Sequence, residues 1–252
     1  MKRENPIIEG RDASGPEESV VEIVLVPGLW LNASTWDAVV PALQADGHTA
    51  RALTLPGMES QHADRTGVTL DDHVAAVVAA IDEAAEPVLL VSHSAGCGIA
   101  HCAVDVRPDR VARHVQIGGF PSADGENLLG GLPVVDGEVP MPDWAEVGEE
   151  ANVADLDGDL LAAFYAAAIP VPVAVIETPV RLTDERRFDV PVTAVCPEYR
   201  ADDVKEWIAG GDLPELARTR RVDYVDLPAG HWPQLTRPAD LARVILAAVP
   251  RT

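Results

Sequence analysis

The sequence predicts an α/β fold: a mostly parallel sheet flanked by helices, with a segment inserted ahead of the penultimate strand. Short apolar runs alternate with amphipathic stretches, the pattern left when helices connect parallel strands. That rhythm breaks between residues 120 and 189, which carry Pro121, Pro133, Pro140, Pro142, Pro170, Pro172 and Pro179. With 252 residues, 47% of them hydrophobic, the chain can bury one substantial core.

The expected strands are 20–26, 49–53, 88–91, 111–117, 192–195 and 222–226. The expected helices are 35–46, 70–85, 95–106, 202–209 and 238–248, with one more at 156–168 inside the inserted segment. Thr69 with Asp72 three residues on reads as a capping box opening the second helix. That gives Asp71, Asp72 and His73 a structural explanation, and His48 after Asp46-Gly47 reads as a turn residue. Residues 1–19 are charged and lack the apolar stretch of a signal peptide. They are expected to form a flexible tail, with 20–119 and 190–252 as the core and 120–189 as a lid. No run reaches the length of a membrane span, so a cytoplasmic protein is expected.

Forty-one acidic against 19 basic residues give a net charge of −22. That argues against nucleic acid and anionic membrane surfaces, which need basic patches. The expected partner is a small-molecule substrate, and a homodimer is left open. Three cysteines, Cys97, Cys102 and Cys196, make no disulfide framework and read as small buried hydrophobes. His231 has no second ligand at metal spacing, and no H-E-x-x-H occurs. Gly118-Gly119 and Gly210-Gly211 lack a dinucleotide-binding context. Neither a metal nor a cofactor is expected.

The most informative residue is Ser94, in Val91-Ser92-His93-Ser94-Ala95-Gly96. It follows the run Val88-Leu89-Leu90-Val91 and precedes a helix. A serine at the apex of a strand–turn–helix, flanked by small residues, is the context of a nucleophile elbow, although serine replaces the usual first glycine. His93 is expected to point to the opposite side by strand alternation. A nucleophilic serine needs a base, and in this chain order the base comes last. His231 fits, in Asp226-Leu227-Pro228-Ala229-Gly230-His231-Trp232-Pro233, a loop after a strand near the C-terminus.

On these motifs the chain resembles the α/β-hydrolase superfamily from Val20 onward. More narrowly it is similar to the small-lid subgroup of plant methyl esterases and hydroxynitrile lyases. The first strand runs into Pro27-Gly28-Leu29-Trp30, which matches the loop carrying half of the oxyanion hole, with proline in place of the common histidine. The resemblance implies that the Leu29 and Ala95 N–H groups form that hole, and that Gly28 lets the backbone approach the substrate. It also implies a lid at 120–189, with Leu128, Leu129, Leu132, Trp144, Phe164 and Tyr165 toward its inner face. Trp30 and Trp232 are expected at the pocket wall. The acid that orients His231 should follow the penultimate strand, where Glu198 is favoured over Asp202 and Asp203; Asp124 and Glu126 are further alternatives.

The implied activity is a serine hydrolase of the carboxylesterase type acting through an acyl-enzyme. A hydroxynitrile lyase of the resembling kind carries lysine after the histidine and threonine in the oxyanion loop. Trp232 and Gly28 stand there instead. A non-catalytic ligand receptor on the same fold is the other alternative.

Overall fold

The computed structural model describes residues 20–250, so the tail expected at 1–19 lies outside the described residues. Eight strands occur among them: β1 (Glu22–Val26), β2 (Thr49–Ala52), β3 (Val88–His93), β4 (Val111–Ile117), β5 (Glu138–Val139), β6 (Val171–Pro172), β7 (Val192–Cys196) and β8 (Val222–Asp226). Six form one sheet in the order β2-β1-β3-β4-β7-β8, and every neighbouring pair is parallel. Parallel strands need helices on both faces of the sheet, and the alternation along β1 shows how this is met. Val24 and Val26 point to one side, against α2 (Leu70–Glu83) and α3 (Gly96–Val106). Ile23 and Leu25 point to the other, against α1 (Val40–Ala45) and α9 (Pro238–Ala247). All four side chains are fully buried. At roughly 1.5–3 kcal/mol each, such residues anchor the sheet at its centre.

The sheet order also locates the site. From β1 the chain moves outward to β2, then returns to β3 and moves the other way to β4. The crevice between the carboxyl ends of β1 and β3 is therefore a topological switch point, where ligands bind in such sheets.

Two elements differ from expectation for local reasons. The helix expected over 35–46 divides into a 3₁₀ turn, Ala33–Trp36, and the short α1. Asn32 caps the turn through Ser34 N–H, and Pro41 sits in the first turn of α1, where its missing N–H costs nothing. The third strand runs on to His93, because Ser92 and His93 still pair with Gln116 and Ile117. The capping box is present: Thr69 and Asp72 each accept from the other's backbone N–H.

Between β4 and β7 the chain forms the antiparallel pair β5–β6, the helix α4 (Gly158–Ala167) capped by Asp157, and α5 (Val173–Glu177). Phe164 is buried, and Leu128, Leu132 and Trp144 pack on the core, whereas Leu129 is exposed. After β7 come α6 (Ala201–Gly210), α7 (Pro214–Arg218) and α8 (Pro233–Thr236). The return of the inserted segment is fastened by a buried ionic group. Arg187 donates to Glu215 and Asp105, His101 contacts Glu215, and Asp105 also accepts from the Thr183 and Asp184 N–H groups. Each charge has a partner there, which a buried charge requires. The three cysteines are buried and unbonded, and burial pushes the Cys97 and Cys102 thiols up to about 12. No helix among the described residues is long and apolar enough to cross a membrane.

Candidate active site

Ser94 lies at the switch point, one residue past β3, with φ at +52°. For an L-residue this left-handed conformation costs roughly 1–2 kcal/mol, and strain of this kind concentrates at functional sites. Its neighbours hold it there. The Ser94 N–H donates to the Ile117 carbonyl at 2.9 Å, and its own carbonyl accepts from Cys97 N–H at 2.9 Å as α3 begins. The next turn passes so close to the loop after β1 that a Cβ at Gly96 would stand 2.2 Å from the Pro27 oxygen. Only glycine fits, as the small-residue pattern around Ser94 requires.

Three separate segments converge on this hydroxyl. His231 Nε2 lies 2.9 Å from Ser94 Oγ, and His231 Nδ1 lies 2.5 Å from Glu198 Oε2. Glu198 follows β7 by two residues, and His231 follows β8 in the loop before α8. The two loops are zipped by Leu227 N–H to the Cys196 carbonyl and Ala229 N–H to that of Pro197. The other carboxylates considered for the acid are occupied elsewhere. Asp202 pairs with Lys205, and Asp203 accepts from Arg200 N–H at the start of α6. Asp124 accepts from Leu182 N–H and Glu126 from Ala123 N–H.

Around this chain of three, the Leu29 and Ala95 N–H groups donate to no acceptor among the described residues. A Cβ on Gly28 would meet His93 Nδ1 at 2.8 Å and Ser94 Cβ at 3.2 Å, so the loop after β1 lies directly against the serine. Trp30 also has a left-handed backbone, φ +63°, and its indole donates to the Val139 carbonyl at 3.0 Å, tying this loop to β5. Trp232 is 1% exposed. Its ring packs 4.8 Å from that of His231 and 4.6 Å from that of Phe164 on α4. Trp232→Ala is therefore expected to lower unfolding stability by about 3–5 kcal/mol, measured by denaturant titration. A loss under about 1 kcal/mol would contradict this packing. Phe164 also lines a cleft of about 340 Å³ between α4 and the loops holding Leu31 and Gln61; Ser94 is not part of it.

Sequence reasoning missed the buried histidines here. His93 was expected to turn away from the site, yet its Nε2 lies 2.7 Å from the His231 carbonyl. His93 is still paired within β3, and the loop carrying His231 folds against the side it presents. His114 Nε2 lies 2.7 Å from Ser92 Oγ, beneath the elbow. Burial, with a second histidine nearby in each case, pushes both imidazoles from 6.5 down to about 3. Unfolding frees them to take up protons once the pH is below 6.5. Stability is thus full above that value and falls as pH drops toward 3, at up to about 1.4 kcal/mol per pH unit for each histidine. Thermal melts between pH 7.5 and 5 should show a falling Tm, and a flat profile would contradict a neutral buried pair.

The family model described as "Alpha/beta hydrolase family" matches residues 23–244. Among curated proteins, the chain is 34% identical to the probable esterase PIR7A of Oryza sativa subsp. indica over 116 residues. That match spans 44% of this chain and 44% of the rice protein, less than half its length. Among solved structures, one similar chain is an extracellular alpha/beta-hydrolase from a Paenibacillus species, described as sharing structural and functional homology with tobacco salicylic acid binding protein 2. Its TM-score is 0.74 at 19% identity, covering 90% of this chain and 98% of that one. An Arabidopsis methylesterase has a TM-score of 0.72 at 19% identity, covering 91% and 99%. A pyrethroid hydrolase from Sphingobium faniae JZ-2 has a TM-score of 0.67 at 21% identity, covering 91% and 97%.

Proposed function

The chain belongs to the alpha/beta hydrolase family, and from that premise we propose that it is a serine hydrolase cleaving a small to medium, largely apolar carboxylic ester. The observation that carries the reading is the hydrogen-bonded chain Ser94–His231–Glu198, assembled from three separate loops on a strained serine. In the proposed reaction Ser94 Oγ attacks the ester carbonyl carbon while His231 Nε2 takes its proton. Glu198 holds the proton on Nδ1 and stabilises the imidazolium. The unpartnered Leu29 and Ala95 N–H groups receive the oxyanion. The bond to the alcohol oxygen then breaks as His231 returns the proton to it, leaving an acyl group on Ser94. Water attacks that acyl carbon and gives its proton to His231; the acid departs and Ser94 regains its hydrogen.

Gly28, Trp30 and Trp232 are placed at the substrate wall in this reading, and residues 120–189 serve as the lid over it. The rice relative is named a probable esterase and the Arabidopsis neighbour a methylesterase, which supports an ester as the substrate. The residue after His231 is a tryptophan, so the position where the resembling lyases carry lysine holds no cation to stabilise a departing cyanide. The net charge of −22 goes with action on a free small molecule, for which a cytoplasmic location is part of the proposal.

Turnover of a chromogenic short-chain ester tests the proposal. Saturable hydrolysis, with no cyanide released from a cyanohydrin, is expected. Saturable binding of an ester without turnover would make the protein a receptor, and cyanide release would make it a lyase.

A further inference from the structure

We infer that His93 and Gln234 are positioning residues that hold the catalytic loop through the main-chain carbonyl of His231. The inference rests on the hydrolase reading above. The carbonyl can only accept, so the proton of His93 must sit on Nε2, 2.7 Å away. A neutral ring then presents a lone pair at Nδ1. Gln234, buried on α8, meets it with its amide nitrogen at 3.3 Å, which donates. The three groups therefore allow one consistent assignment of protons: Gln234 to His93, and His93 to His231. Reversing the Gln234 amide would put a carbonyl oxygen against that lone pair and leave two acceptors facing each other.

The arrangement has consequences for the base. The His93 and His231 rings lie 5.1 Å apart, so a charged His93 would oppose the imidazolium that His231 becomes during turnover. Burial keeps His93 neutral. Its donor fixes the backbone of His231, while Glu198 fixes the side chain from the other end. One residue earlier, Gly230 N–H is held at 2.7 Å by the Asp155 carboxylate from the inserted segment. The base thus has a tether on each side, and the one through His93 belongs to the same strand that delivers Ser94. Nucleophile and base are in this way both tied to the end of β3, where they lie 2.9 Å apart.

The test compares His93→Leu, His93→Gln and Gln234→Leu with the wild type. The rate at which a fluorophosphonate labels Ser94 is measured, together with kcat and KM for a chromogenic ester, on protein shown by melting to be folded. Glutamine can place an amide N–H where the imidazole Nε2–H was. His93→Leu should label at least about tenfold more slowly and lose kcat with KM unchanged, because the base is misplaced while substrate contacts remain. His93→Gln should recover most of the rate. Gln234→Leu should fall between His93→Leu and the wild type, since it frees the ring without removing its donor; it carries the test alone if His93→Leu does not fold. Labelling at the wild-type rate in Gln234→Leu, or a His93→Gln no faster than His93→Leu, would overturn the inference. Absence of labelling in the wild type would instead defeat the hydrolase reading.

Discussion

Ser94→Ala is expected to abolish ester turnover, lowering kcat by on the order of 10⁴–10⁶-fold, without changing the melting temperature. The hydroxyl is the only atom lost, and no fold-holding contact depends on it: its sole hydrogen-bond partner among the described residues is His231 Nε2. The left-handed backbone of the elbow is borne by alanine as by serine, so the strain is the same in both proteins. Steady-state assays on purified variant, with wild type as control, check it. A variant retaining a tenth or more of the activity would mean that the nucleophile lies elsewhere.

Glu198→Gln is expected to lower kcat by about a hundredfold or more. Glutamine keeps the shape but loses the charge that stabilises the His231 imidazolium, and its amide can press the base into the wrong tautomer. Asp202→Asn and Asp203→Asn are the controls, because both carboxylates are engaged around the start of α6 and neither contacts His231. They should stay close to wild type. A near-normal Glu198→Gln beside a crippled Asp202 or Asp203 variant would move the acid while leaving the fold untouched.

The centre of the sheet was legible because β1, β3 and β7 are buried on both faces and read as largely apolar runs; 111–117 and 222–226 coincide with β4 and β8 although both strands carry polar residues. The helix start at Thr69 was legible because a capping box is local chemistry. Ser94, His231 and Glu198 could be named because each occupies a loop directly after a strand, where sequence order nearly determines position. What escaped was whatever depends on distance across the fold. The contact of His93 with a carbonyl 138 residues away has no local signature, and Ser92, His114 and Gln116 form their buried chain only once β3 and β4 are paired. The inserted segment was legible as a break in rhythm, but not as the particular pair β5–β6, since two-residue strands carry no period. Trp232 could be assigned to the site's surroundings, yet its near-complete burial follows from Phe164 and Trp144 closing over it.

The central claim is that Ser94 is a nucleophile activated by His231. Peptide mapping by mass spectrometry after treating the protein with a fluorophosphonate tests it without knowledge of the substrate. The account predicts one adduct, localised by fragmentation to Ser94, formed by the wild type and missing from Ser94→Ala and His231→Ala. An adduct on Ser92, or no adduct on protein that melts cooperatively, would contradict it.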